Sequence, residues 1–165
     1  MKHKNNYLII SIISALLLLG CGQQKLSQQE IENVKEEIKT LISEQSEAYE
    51  TGNIEYFKNA VADEITAFRI TKQAICTNLE EWTRSFQLDF QNMDSIPWSI
   101  KFGELRHLSI QVSETGDMAT AIYEEPFEMI IEGESQLRLL RMATTWRNEN
   151  GEWKIVQWLG AQPVE

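Results

Sequence analysis

Apolar positions recur every three or four residues through the first half of the chain and alternate through the second, so helices come first and long strands follow. Ile31, Val34, Ile38, Leu41, Ile42, Ala48 and Tyr49 form one stripe behind a capping-box pair, Ser27 and Glu30. That pattern predicts a long amphipathic helix ending at Gly52. Asn53 is placed to cap a short second helix reaching about Val61, and the β-branched and aromatic stretch from Ile65 to Ile70 predicts a brief strand. Thr77 and Glu80 repeat the capping-box spacing ahead of Leu79, Trp82, Phe86 and Phe90, the core-facing stripe of a third helix.

From Trp98 onward four runs follow: Trp98 to Ser113, Met118 to Glu132, Gln136 to Arg147 and Trp153 to Gly160. Gly116-Asp117, Gly133-Glu134 and Asn150-Gly151 stand between them as two-residue hairpin signals, which predicts an antiparallel meander. Closing the chain on those turns pairs Leu108 with Glu125, Ile110 with Tyr123, Val112 with Ala121, Glu125 with Met142, Phe127 with Leu140, Thr144 with Gln157 and Trp146 with Ile155. One face then collects Leu108, Ile110, Val112, Ala121, Tyr123, Phe127, Met129, Leu140, Met142, Trp146, Ile155 and Leu159. The opposite face collects His107, Ser109, Gln111, Glu124, Glu128, Arg141, Thr145, Arg147 and Lys154, with Val156 and Trp158 as apolar exceptions. The fold expectation is α+β, one domain over 26–165 in which a curved antiparallel sheet packs on three N-terminal helices.

Glu125 breaks the apolar face. A carboxylate buried without partners takes up a proton, so its pKa is expected to rise, as general acids and bases require. Around it the pairing gathers Tyr123, Met142, Thr144 and Gln157, with Arg106 one pair further out beside Phe127. These six residues are the expected ligand-binding set, and Glu125 with Tyr123 is the candidate catalytic pair. The alternatives are that Glu125 is a satisfied buried ion, or that a bulge near Pro126 turns it to solvent. His107 falls on the polar face and reads as surface. Val156 and Trp158 read as an association surface, most simply for a second copy of the chain.

Charge and cysteines narrow the partners. The chain carries 15 Lys and Arg against 25 Asp and Glu, a formal charge of −10. Phosphate recognition needs a positive footprint, so nucleic acid is not an expected partner. The N-terminus has Lys2 and Lys4 ahead of a largely apolar run from Leu8 to Leu19, shorter than the ~20 residues of a spanning helix and laid out as a secretory signal. Without those two lysines the charge falls to −12. Leu18-Leu19-Gly20-Cys21 closes the segment and resembles the bacterial lipoprotein lipobox. The resemblance implies cleavage before Cys21 and acylation of its thiol and amino group. Residues 1–20 are then the signal, 21–25 a lipidated tether, and the membrane is met through the lipid on Cys21. Gly22 at the next position favours the outer membrane, facing the periplasm, in a two-membrane host. Only Cys76 remains, beside Ala74 and Ile75, and it reads as a small buried hydrophobe. One histidine after the signal, His107, with no second ligand at metal spacing, makes zinc and haem unexpected.

Helices followed by long antiparallel strands, ending in Trp146-Arg147-Asn148-Glu149-Asn150-Gly151-Glu152-Trp153-Lys154-Ile155-Val156, resemble the nuclear transport factor 2-like superfamily and its SnoaL-like group. The resemblance spans roughly Ile31 to Pro163. It implies a cone-shaped, cystatin-like fold, a pocket between sheet and helices, frequent dimers through the sheet, and no cofactor. Members include isomerases, dehydratases and cyclases as well as proteins that only bind or assemble. Relatives often carry a histidine and then a polar residue at positions matching Leu159 and Ala161, which are apolar here. A lipoprotein whose domain binds a small apolar ligand or a partner protein is therefore the expectation. The alternative is a cofactor-free isomerase, dehydratase or cyclase with Glu125 as general acid/base, and a third reading is an interaction module with a filled pocket.

Overall fold

A computed structural model describes residues 25–69, 74–95 and 98–161. The segment expected to be a signal, residues 1–20, and the expected lipidation site Cys21 lie outside the described residues. Among those residues no helix is long and apolar enough to cross a membrane.

Helix α1 (Gln28–Glu50) begins with the capping box read from the sequence. The Ser27 hydroxyl accepts the Glu30 N–H at 3.3 Å, and the Glu30 carboxylate accepts the Ser27 N–H at 2.7 Å. Ile38, Ile42, Gln45 and Ala48 form its buried face. Asn53 caps α2 (Ile54–Ala60), which runs directly into β1 (Val61–Arg69), and β2 (Ala74–Cys76) turns back antiparallel on β1. Cys76 is buried in the core. Helix α3 (Leu79–Ser95) starts one residue later than Thr77 and Glu80 predict. Asn78, as good a cap as threonine, accepts the Glu81 N–H at 2.9 Å while Glu81 reaches back to the Thr77 N–H.

Five further strands follow, β3 (Trp98–Phe102), β4 (Arg106–Val112), β5 (Met118–Ile131), β6 (Glu134–Glu149) and β7 (Glu152–Ala161), and among the described residues the three helices pack on a curved, unclosed, seven-stranded mixed sheet of order β2-β1-β7-β6-β5-β3, with β4 also on β5. β1 and β7 are parallel and the other pairs antiparallel. The first predicted run is split into β3 and β4, both laid along β5. Pro126 explains the split. In an antiparallel ladder a residue's N–H and C=O face the same neighbour. The Pro126 carbonyl takes the Gly103 N–H at 2.8 Å, so the missing proline donor also faces the β3/β4 side, where the chain steps away from the sheet. A Cβ on Gly103 would stand 3.1 Å from the proline ring. On its other side β5 pairs without interruption with β6.

Turn centres and bulges correct the predicted registers. The β5–β6 hairpin centres on Glu132-Gly133, φ 52° and 87°, one residue before Gly133-Glu134. Positive φ at both positions is the type I′ signature. Partners therefore move by two residues without changing face: Glu125 lies opposite Leu140, Tyr123 opposite Met142 and Phe127 opposite Arg138. The β4–β5 loop closes between Ser113 and Met118, which likewise sets Val112 opposite Ala119 and Ile110 opposite Ala121.

Bulges do change faces. The register slips between Arg106 and Ser109, with His107 at φ 51°, so Arg106 is exposed opposite Glu124 instead of lying near Phe127. Between β6 and β7 Trp146 pairs with Ile155 as read, and the ladder then slips by one residue. Gln157 sits opposite Thr145, and Trp158 opposite the buried Thr144. Trp158 thus leaves the outer face and joins the aromatic core, 4.4 Å from Trp82 and 5.7 Å from Phe86 between ring centroids, while Leu159 turns outward.

Candidate functional site

Helix α1 crosses the inner face of the sheet and leaves a cavity of about 390 Å³ beneath it, within the ~300–1,000 Å³ usual for small-ligand pockets. Its floor is the inner face of β5 and β6, where the pairs Tyr123–Met142 and Glu125–Leu140 stand next to Phe127. Its roof is one turn of α1, Gln45, Ser46 and Tyr49. Phe86 of α3 and Trp158 of β7 close one side, and Phe102 of β3 another.

Glu125 is 4% exposed and sits at the polar end. The Ser46 hydroxyl lies 2.6 Å from its Oε1 and 3.2 Å from the Ile42 carbonyl one turn back. A hydroxyl has one proton and two lone pairs, so this arrangement serves both charge states of the acid. Ser46 donates to the carboxylate when Glu125 is ionised. When Glu125 is protonated, its O–H can donate to Ser46, which then donates to Ile42. Burial pushes the Glu125 carboxyl up to about 7, the Ser46 hydrogen bond opposing and the Glu50 charge reinforcing the rise. Burial, with the Glu125 charge second, holds the Tyr123 phenol well above its usual range, so its hydroxyl stays protonated. A buried acid that titrates near neutrality beside a protonated phenol can bind, donate or accept a proton.

Of the six expected ligand-binding residues, the fold brings Tyr123, Glu125 and Met142 together in the cavity. Three lie elsewhere. Arg106 is turned out by the β4 bulge. Thr144 is buried and accepts the Trp146 indole N–H at 3.0 Å. Gln157 is exposed, its carbonyl accepting the Thr145 hydroxyl at 3.1 Å. Trp158 is half-buried in the cavity wall, so the predicted association surface loses its principal residue. His107 is exposed, 3.7 Å from Glu124.

Sequence reasoning missed Gln45, Ser46 and Arg138. A signal for Gln45 existed, because it falls on the buried helix face three residues after Ile42 and three before Ala48. Arg138 shares the inner face with Glu125, but it is exposed at the mouth and donates to the Gln136 side-chain carbonyl at 2.7 Å.

A helix-roofed open sheet enclosing an apolar cavity around one buried acid defines a small α+β pocket domain. The SnoaL-like domain model matches residues 38–165, and the chain belongs to that family. An NTF2-like dehydratase candidate from Streptomyces avermitilis superposes with a TM-score of 0.69 at 17% identity, over 81% of this chain and 99% of that one. An NTF2-like protein with a cystatin-like fold from Novosphingobium aromaticivorans gives 0.65 at 16% identity, over 93% and 89%. The association domain of C. elegans CaMKII gives 0.65 at 13% identity, over 81% and 99%. At such identities the likeness is one of fold. No curated protein matches the chain in sequence.

Proposed function

We propose that this SnoaL-like domain binds a small, mostly apolar molecule in the cavity under α1, within a lipoprotein held to the cell envelope by the lipid on Cys21. The observation that carries the binding reading is Glu125, a single buried acid in a cavity of matching size lined mostly by apolar residues. Apolar walls supply affinity and the few polar groups fix orientation. The lipobox-like Leu18 to Cys21 supports the anchoring, and the outer membrane is its destination where a host has two. The test is a thermal-shift screen of envelope metabolites against wild type and Glu125→Gln. A ligand at a hundred times its Kd stabilises the folded state by about 2.7 kcal/mol. A hit that moves both proteins supports binding, and no hit from such a collection counts against it.

The carboxyl titrating at about 7 favours a second reading, acid-base catalysis without a cofactor by Glu125, with Tyr123 donating to developing negative charge. The dehydratase candidate among the neighbours is consistent with it. Glu125→Gln keeps shape and removes the base, so it abolishes turnover under this reading and leaves binding within a modest factor. Self-association falls to the outer sheet face, where Ile122, Ala143 and Leu159 stand in one row across three strands and Ile122 and Leu159 are exposed. The association domain among the neighbours is in keeping with this.

A further inference from the structure

The polar end of the cavity is short of donors. Gln45 is 5% exposed, and its side-chain Oε1 is buried with no hydrogen-bond partner. Among the described residues Ser46 is the one hydrogen-bond donor to Glu125, and no cation pairs with it. The charged and titratable groups around Glu125 come from several elements: Glu50 on α1 and Tyr123 on its own strand act on it or are acted on by it, Tyr56 on α2 reaches Tyr123, and Arg138 on β6 lines the same cavity. Arg138 is turned to Gln136 at the mouth, the Tyr56 hydroxyl donates to the Leu41 carbonyl, and Glu50 adds negative charge.

The walls suit a cation. Among the described residues, seven of the sixteen that line the cavity are aromatic. Tyr49, Phe102 and Phe127 form a continuous group, with ring centroids 6.0 and 5.9 Å apart in succession. Aromatic faces attract ammonium groups through the ring quadrupole, and the attraction strengthens when water is excluded. A carboxylate head placed here would meet Glu125 and Glu50. A neutral head would suit the protonated acid and would leave the ionised carboxylate, the form that prevails above pH 7, without a counter-charge.

From the donorless Gln45 carbonyl, the unpaired Glu125 carboxylate and the aromatic walls, we infer that the cavity takes a protonated amine with at least one N–H and an apolar body. The ammonium donates to Glu125 and Gln45, and the body lies along the aromatic walls toward the mouth. This deepens the small-molecule reading and rests on it.

The test uses the full-length protein and three probes of similar size in isothermal titration: 2-phenylethylamine, 2-phenylethanol and 3-phenylpropanoate. At pH 8 the amine is expected to bind at least tenfold more tightly than the alcohol, with the carboxylate weakest. Lowering the pH to 6 protonates Glu125, which titrates at about 7, and weakens amine binding by about tenfold while leaving the alcohol unchanged. Glu125→Gln brings the amine down to the alcohol's affinity, and Gln45→Met gives a smaller loss confined to the amine. An alcohol or carboxylate that binds wild type as tightly as the amine overturns the amine inference and leaves the small-molecule reading standing. Failure of all three probes to bind wild type counts against both.

Discussion

Replacing Glu125 by glutamine should change how stability depends on pH, with a sign opposite to that of an ordinary surface acid. An exposed glutamate titrates near 4.5, and Glu125 in the folded protein near 7. Between those values the folded state holds a proton that the unfolded chain has lost. Stability is therefore highest below 4.5 and falls as pH rises through 7, then levels off. At 1.36 kcal/mol per pH unit the gap corresponds to about 3 kcal/mol, most of it lost between pH 5 and pH 8. Exposed acids held low by local hydrogen bonds, such as Glu30, Glu81 and Asp117, act in the opposite direction toward acid pH. They are present in both proteins and cancel in the difference.

Glutamine matches glutamate in shape and does not titrate, so subtracting the variant isolates the Glu125 contribution. Urea unfolding followed by tryptophan fluorescence at pH 5, 6, 7 and 8 gives both curves. Wild type should lose about 2–3 kcal/mol relative to Glu125→Gln across that range, roughly 5–10 °C in Tm for a domain of this size. A difference that stays flat from pH 5 to pH 8 would mean that Glu125 is solvated or ion-paired in solution, and the acid at the centre of the cavity would be lost as a premise.

Four further outcomes follow from the same geometry. Ser46→Ala removes the hydrogen bond that holds the Glu125 carboxyl down, so the midpoint of the pH-dependent loss should move upward by about one pH unit, in line with the worth of a hydrogen bond to a charged group. Trp158→Ala opens the cavity wall and removes ring contacts to Phe57, Trp82 and Phe86. It should cost about 2–3 kcal/mol in urea unfolding, below the ~3–5 of a fully buried tryptophan, whereas a near-neutral effect would return Trp158 to the outer face. Cys21→Ser should abolish incorporation of labelled palmitate and release the protein from the membrane fraction, and continued labelling would refute the lipid anchor. Leu159→Glu, at an exposed outer-face position, should shift sedimentation to the monomer with little change in Tm, while an unchanged profile would remove this face as a self-association surface.

Much of the cavity floor was legible in the chain because of how errors propagate along a strand. Side chains alternate, so a turn misplaced by one residue moves partners by two and leaves every face intact. That happened at both glycine turns on β5: Gly133-Glu134 was the wrong centre, and Tyr123, Glu125, Phe127 and Met142 still share the inner face. A bulge moves one strand by a single residue and reverses every side chain beyond it. The slip after Trp146 and Ile155 exchanged Gln157 for Trp158 at the cavity, and the slip near His107 put Arg106 outside. Neither bulge has a composition of its own, but the first left a trace. With Val156, Trp158 stands as an apolar exception on the predicted polar face, and Leu159 beside it as an apolar residue on the predicted inner face. Two neighbouring apolar residues cannot both face inward in a regular strand, and a register reversed at that point accounts for the tryptophan while turning the leucine out. The roof was harder to see, because the pairing of strands carries no information about which turn of α1 crosses Glu125. Gln45 on the buried helix face and Glu125 on the buried sheet face are each out of place alone. Polar residues misplaced on two separate apolar faces of one domain point to a shared cavity before any contact between them is known.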